Sequence, residues 1–278
     1  MSVPVRKAII AVAGFGTRWL PLTTAIEKCM LPIGNRPVID YVVEDCVRAG
    51  ITDIYFVVSE QSEQIRRFYG KNQMLQEYLE QKGKTRELEQ LHAIRTQANF
   101  HFITQTASMP YGTAIPVQIA LSELEAGESV VVMMGDQFTY SPVGKGEVSN
   151  LLERVAENGA TSGMVVAPVP KEEVSKYGIV ELDGQGFFKR IVEKPKPEEA
   201  PSTLNNLSMY LFDSDMLRCV ADVKTPTNGE YYLVDALNAY VDELGKQLVV
   251  VEAVGTYLDG GTVEGWLKAN QFVAASQE

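Results

Sequence analysis

The chain sets Ala13-Gly14-Phe15-Gly16-Thr17-Arg18 a short distance ahead of Lys28-Cys29-Met30-Leu31-Pro32. A glycine-broken loop followed by two cations is suited to holding phosphates. Glycine lets backbone N–H groups approach an oxyanion with no Cβ in the way. Arg18 can fork onto phosphate oxygens, and Lys28 can act as a point charge where negative charge builds up. Two better-known phosphate loops are excluded by single positions. A dinucleotide fingerprint needs a third glycine where the chain has Trp19, and a Walker loop ending at Gly83-Lys84-Thr85 needs a glycine where it has Tyr78. Hydride transfer and Walker-type ATPase chemistry lose their main support with them. Taken alone, Gly14 and Gly16 could simply turn a strand into a helix; Arg18 and the Lys28 segment make the loop a candidate site.

Carboxylates stand at two further places. Asp136 follows the apolar run 130–134 and Gly135, which puts it at the carboxyl end of a buried strand. Asp259 lies in Tyr257-Leu258-Asp259-Gly260-Gly261-Thr262, ahead of the last helical pattern. Two such aspartates could clamp Mg2+, which takes oxygen ligands and shares them with substrate phosphates; Asp-Gly is also a common turn. Gln105 and Gly112 bracket a loop after another strand-like run. A side-chain amide with backbone groups can match the acceptor–donor–acceptor edge of uracil or thymine, or Gln105 can be a polar strand end. Glu193-Lys194-Pro195 offers a carboxylate to sugar hydroxyls and a cation to a sugar phosphate, or else an exposed ion pair. Neighbouring strand residues point to opposite faces, so both reach one ligand only if the strand bends or ends, as Pro195 allows. The histidines are His92 and His101, neither near these loops. That disfavours a hydrolase with an imidazole base. Nucleotidyl transfer from a sugar phosphate needs no such base, because its nucleophile is already an anion; it needs alignment and charge neutralisation.

The elements that must position these residues alternate through the first half. Strand-like runs at 8–13, 54–58, 102–104 and 130–134 are separated by helical patterns at 38–48, 62–69 and 113–124. This predicts a parallel sheet with covering helices, its ligand edge at the carboxyl ends of the strands. Residues 73–91 read as a polar helix inserted between two strands, either solvated or an oligomer contact. In the second half, strands at 162–169, 178–182, 187–192 and 207–212 suggest a mixed sheet, with Asp183-Gly184 and Gln185-Gly186 as a hairpin turn. Helices are expected at 214–220, 230–244 and 262–275, with a strand at 248–254.

The length of 278 residues fits one large domain. A net charge of −11 argues against nucleic acid and anionic membranes as partners. Phosphate substrates would then need the cations focused in one cleft. Cys29, Cys46 and Cys219 are too few and too far apart for a disulfide framework or a zinc site, and a reducing cytoplasm is the simplest setting. Arg6 and Lys7 before the short apolar run could pass for a signal peptide; a buried parallel strand accounts for it better. No stretch reaches the length of a transmembrane helix.

With these motifs assembled, the chain resembles the sugar-1-phosphate nucleotidyltransferases, and more narrowly the bacterial UTP–glucose-1-phosphate uridylyltransferases, from about residue 7 to 273. The resemblance is most specific over 13–18 with 28–32 and at Glu193-Lys194-Pro195; the insertion at 73–91 and the spacing of Gln105 to Gly112 favour the uridylyl branch. It implies an α/β, Rossmann-like nucleotidyltransferase fold, with a mixed, mostly parallel central sheet, flanking helices and a small β-rich sugar-binding part. Residues 1–140 would form the nucleotide-binding half and 141–278 the sugar-binding half of a single domain. Ala13, Gly14 and Gly16 would bind the nucleotide, Gln105 and Gly112 its base. Arg18 and Lys28 would neutralise the triphosphate, Gly178, Glu193 and Lys194 would place the sugar phosphate, and Asp136 and Asp259 would hold Mg2+. The implied reaction converts UTP and glucose 1-phosphate into UDP-glucose and pyrophosphate in a homodimer or homotetramer. Three segments depart from the pattern. Cys29 stands where a glutamate is usual, Met134-Gly135-Asp136 replaces Leu-Pro-Asp, and 257–262 looks more like the related thymidylyltransferases. A thymidylyltransferase, another sugar-1-phosphate nucleotidyltransferase or a catalytically silent UDP-sugar-binding homologue are the alternatives.

Overall fold

A computed structural model describes residues 4–141, 144–223 and 229–276. In chain order the elements are β1 (Lys7–Ala11), β2 (Pro32–Ile33), β3 (Arg36–Pro37), α1 (Val38–Arg48), β4 (Asp53–Ser59), α2 (Gln64–Tyr69), α3 (Gln73–Gln81), α4 (Thr85–Thr96), β5 (Asn99–Gln105), α5 (Ile115–Ala120), β6 (Val130–Met134) and β7 (Gln137–Tyr140). There follow α6 (Glu147–Glu157), β8 (Gly163–Pro168), β9 (Gly178–Leu182), β10 (Phe188–Glu193), β11 (Leu204–Phe212), α7 (Ser214–Ala221), α8 (Leu233–Asp242), β12 (Val249–Glu252), β13 (Thr256–Asp259) and α9 (Val263–Ala275).

The main sheet runs β10-β9-β11-β6-β1-β4-β5, with β8 beside β11 and β12 beside β8. β6, β1, β4 and β5 are parallel, as the alternation of apolar runs and helices predicts. Their sequences are apolar on both faces because both faces are covered. Ile9, Tyr55, Val57, Val130 and Val132 face a core closed by α5, α7 and α8. Ala8, Ile10, Phe56, Val58, Val131 and Met133 face the opposite core, closed by α1, α6 and α9.

β11 joins the two halves. It runs antiparallel to β6, pairing Met209 with Met133, and carries the pairing on to β9, where Asn205 lies opposite Ile179. The β9–β10 hairpin therefore starts at the level where β6 ends. A register shift between Asn206 and Tyr210, with Ser208 at φ 51°, lets β11 serve β6, β8 and β9.

The insertion is two helices rather than one. Gly83, at φ 61°, breaks the polar run between α3 and α4. Sequence reading also passed over α6, although Val148, Leu151 and Val155 recur at helical spacing and are all buried. The four-residue strands β7 and β13, which pair with each other alone, have no pattern long enough to be read from sequence.

α6 is tied down by carboxylates. Asp45 of α1 accepts from the Val148 N–H at 3.2 Å, and buried Glu147 accepts from the N–H groups of Val254 at 3.0 Å and Gly255 at 2.6 Å, just ahead of β13. Burial lifts the Asp45 carboxyl from 3.8 to about 7; the Val148 hydrogen bond opposes that rise and the Glu147 charge adds to it. Because the folded value lies above the unfolded one, stability from this group is complete below about pH 4 and is lost as pH rises through about 7. Asp45→Asn, which keeps an acceptor for Val148, should flatten the fall in Tm between pH 4 and 8, as measured by calorimetry across that range.

Candidate active site

The ligand edge of the sheet is built from the ends of β1 and β6. The ladder runs one residue past each strand: Val12 N–H donates to the Val57 carbonyl at 2.9 Å, and Gly135 N–H to the Ala11 carbonyl at 3.0 Å. The chain is thus released side by side at Ala13 and Asp136. A Cβ at Gly135 would lie 2.3 Å from Val12 Cγ1, which accounts for the glycine in Met134-Gly135-Asp136.

Gly14 is exposed, and no heavy atom lies within 4 Å of where its Cβ would stand. Gly16 turns the loop back at φ 62°, ψ 36° and starts the short 3-10 turn Thr17–Trp19. Its carbonyl accepts from Trp19 N–H at 2.8 Å and the Thr23 hydroxyl at 3.1 Å. A Cβ there would meet Thr23 Cγ2 at 2.9 Å and Lys28 Cβ at 3.3 Å, so the glycine brings the loop against the lysine segment. Arg18 is exposed and has no hydrogen bond or ion pair with any described residue. Lys28, with its side chain 13% exposed, is ion-paired to Asp136.

Asp259 reaches the same place on the β7–β13 ribbon, where it sits opposite Gln137, the residue after Asp136. Its Oδ1 accepts from Gly261 N–H at 2.6 Å and its Oδ2 from the Thr262 hydroxyl at 3.1 Å. Thr262 in turn caps α9 by accepting from Gly265 N–H at 3.1 Å. Lys28 Nζ lies 3.7 Å from where a Gly261 Cβ would stand, so both aspartates belong to the surroundings of one ammonium group. No group of three or more His, Cys, Asp or Glu side chains among the described residues could hold a metal. Two carboxylates from adjoining loops fit an ion that takes its remaining ligands from water and substrate phosphate.

On the other side, Glu193 lies opposite Gly178 in the β9–β10 pairing, at the level of Asp136. A Cβ at Gly178 would stand 2.8 Å from Glu193 Oε1, so the glycine makes room for the carboxylate. Lys194 ends the strand at φ 46°, its N–H donating to the Tyr177 carbonyl at 2.9 Å. That left-handed residue ends the extended backbone directly after Glu193. Nearby, the Gln137 Oε1 is buried with no hydrogen-bond partner among the described residues, and the buried Asn205 side chain faces the Tyr257 hydroxyl. Burial and the Asp259 charge raise the Tyr257 pKa, keeping the phenol neutral.

Gln105 ends β5 at the same edge, and its amide donates to the Pro110 carbonyl at 3.3 Å, closing the 105–110 loop. Gly112 has a structural duty as well. At φ 133° it lies against Tyr231, whose carbonyl would be 2.1 Å from a Cβ. Tyr231 N–H donates to the Tyr111 carbonyl at 2.9 Å and Ala114 N–H to the Tyr231 carbonyl at 3.0 Å, so residues 230–233 wall the loop. Sequence reading missed that wall, and also Trp19 and Trp266, whose contacts span the chain. Cys29 is buried, and burial raises its thiol pKa, so it packs as a neutral side chain. His101, four residues before Gln105 on β5, stacks on Tyr55 and pairs with Asp53.

The family model described as "Nucleotidyl transferase" matches residues 7–276. A UTP–glucose-1-phosphate uridylyltransferase of Mycoplasma pneumoniae is 34% identical over 278 residues, covering 97% of this chain and 92% of its own. The UTP-bound UGPase of Acinetobacter baumannii superposes with a TM-score of 0.87 at 28% identity, over 97% of this chain and 93% of that one. A UDP-glucose pyrophosphorylase complexed with UDP-glucose gives 0.83 at 25% identity, over 98% and 99%. The mixed sheet with parallel central strands and flanking helices is that of these structures. No helix among the described residues is long and apolar enough to cross a membrane.

Gly112→Ala must part the loop from Tyr231 or strain both. It should lower unfolding free energy by about 2–4 kcal/mol, read as a shift in urea midpoint at unchanged m-value.

Proposed function

The chain belongs to the nucleotidyl transferase family, and on that premise we propose that it transfers the uridylyl group of UTP to glucose 1-phosphate, giving UDP-glucose and pyrophosphate. The observation that carries this reading is the meeting at one sheet edge of an open glycine loop, the Lys28–Asp136 pair and the opposed Gly178 and Glu193.

The nucleotide is held by the first half of the chain and the sugar phosphate by the second. Ala13, Gly14 and Gly16 wrap the triphosphate, and Arg18, with no partner among the described residues, forks onto its outer oxygens. The Gln105 to Gly112 loop takes the base. Glu193 accepts from sugar hydroxyls across Gly178, and Lys194 holds the sugar phosphate. Held in line, a phosphate oxygen of glucose 1-phosphate attacks the α-phosphorus of UTP. A new P–O bond forms there, the bond to the bridging oxygen breaks, and its electrons leave with pyrophosphate. No proton need move, so the reaction calls for no histidine base. Lys28 neutralises the charge that grows on the leaving group. Asp136 and Asp259 would hold a divalent cation, with Mg2+ the ion proposed from their hard oxygen ligands; it would supply further positive charge at the α-phosphate. The acidic molecule, at net −11, makes that local concentration of positive charge necessary for gathering two anions.

Purified protein with Mg2+, UTP and glucose 1-phosphate should release pyrophosphate and form UDP-glucose; absence of both products overturns the proposal. Lys28→Ala should lower kcat by about 10²–10³-fold with a smaller change in KM, because its charge matters most as pyrophosphate departs. Asp136→Asn should lose the dependence of rate on Mg2+ concentration, measured by titrating the metal at saturating substrates. Running dTTP beside UTP ranks the nucleotides by kcat/KM.

A further inference from the structure

Trp19 stands at the end of the phosphate loop, yet its side chain turns away into the protein and is 3% exposed. Its indole N–H donates to the Gly261 carbonyl at 3.1 Å, across 242 positions of sequence. The N–H of the same Gly261 donates to Asp259 Oδ1 at 2.6 Å. The peptide groups of this one residue are therefore tied to Asp259 on one side and to Trp19 on the other. The Trp19 ring also meets Trp266 of α9 edge to face, with centroids 5.9 Å apart and planes at 85°. Trp266 Nε1 donates to the Pro32 carbonyl at 2.7 Å. The chain has two tryptophans: Trp19 joins the phosphate loop to the turn that carries Asp259, and Trp266 joins the end of the lysine segment to α9, which follows that turn.

That turn has reason to need a tether. Asp259 is followed by Gly260 and Gly261, and paired glycines leave the backbone more conformations than any other dipeptide. The Asp259 carboxylate takes its orientation from Gly261 N–H and the Thr262 hydroxyl. An untethered Gly261 peptide could rotate and release Oδ1. Filling the space beside Trp266 requires only an aromatic ring; holding the Gly261 carbonyl requires a donor at one position on that ring.

We infer that Trp19 is a positioning residue, whose indole N–H fixes the 259–262 turn and through it the Asp259 carboxylate beside Lys28 and Asp136. The phosphate loop and the carboxylate are then one mechanical unit, since Trp19 N–H also donates to Gly16. This rests on the metal role proposed above for Asp259.

Trp19→Phe keeps a ring against Trp266 and removes the donor. Loss of one buried hydrogen bond to the turn should lower kcat about tenfold, leave KM for UTP within about twofold, and raise the Mg2+ concentration for half-maximal rate. In an Asp259→Asn background the same change should cost nothing more, because Trp19 acts through that carboxylate. Unchanged kcat and metal dependence in Trp19→Phe, or losses that multiply in the double variant, overturn the inference. A second readout needs no turnover: calorimetry of UDP-glucose binding with and without Mn2+. Mn2+ should tighten binding to the wild type, and Trp19→Phe should lose that gain. An equal gain in both proteins, or none in the wild type, overturns it. A wild type that shows the Mn2+ effect but releases no pyrophosphate keeps the tether and rejects the proposed reaction.

Discussion

The ion pair between Lys28 and Asp136 is the contact around which the site is arranged. Two half-buried opposite charges at the end of a strand are costly to leave apart and modest in what they add together. Their place is explained by what each is near. Asp136 is delivered by β6, and Lys28 comes from a segment brought in by Gly16 folding back on itself. A molecule with an excess of acidic side chains needs such a focused cation if it is to draw in anionic substrates. The pairing holds the ammonium in place and gives the carboxylate a positive neighbour, the environment that a phosphate and a divalent cation would share.

The parallel register of β1 and β6 sets the first part of this geometry. Ala11 opposite Met134 brings Ala13 and Asp136 out together. β11 then transfers that level to β9, so Gly178 and Glu193, the residues proposed for the sugar, start where β6 stops. The β7–β13 ribbon brings Asp259 to the same level from near the end of the chain. Four segments far apart in sequence share one edge because hydrogen-bond ladders set their heights, and the two apolar cores hold the sheet between helices.

Departures from the family's usual residues fall where packing explains them. Gly135 has no room for a Cβ beside Val12, and Cys29 fills a buried position as a neutral thiol. Cys29 replaces the usual carboxylate by a neutral side chain, while Arg18, Lys28, Asp136 and Asp259 are all present. The turn at 259–262, one of the three departing segments, is bound to the first loop through Trp19.

The residues themselves determined much of this. Apolar runs buried on both faces and separated by helical patterns imply a parallel sheet, since only such strands lack a polar face. Nucleotidyl-transferase membership was legible in the segments 13–18 and 28–32, and the phosphate-binding reading of Gly14, Gly16, Arg18 and Lys28 rests on the suitability of glycines with two cations for an oxyanion. α6 was legible and overlooked, its apolar spacing being plain at 148, 151 and 155. Tertiary structure alone decided the rest. Gly83 divided an unbroken polar pattern into two helices by adopting a left-handed conformation. Lys194 did the same at a strand end, breaking the extended backbone directly after Glu193. The opposition of Asp259 to Gln137 and the reach of Trp19 across 242 residues leave no local mark. Local patterns record burial and backbone preference. Register and long-range hydrogen bonds arise only when distant segments meet, and it is those that bring the candidate residues together.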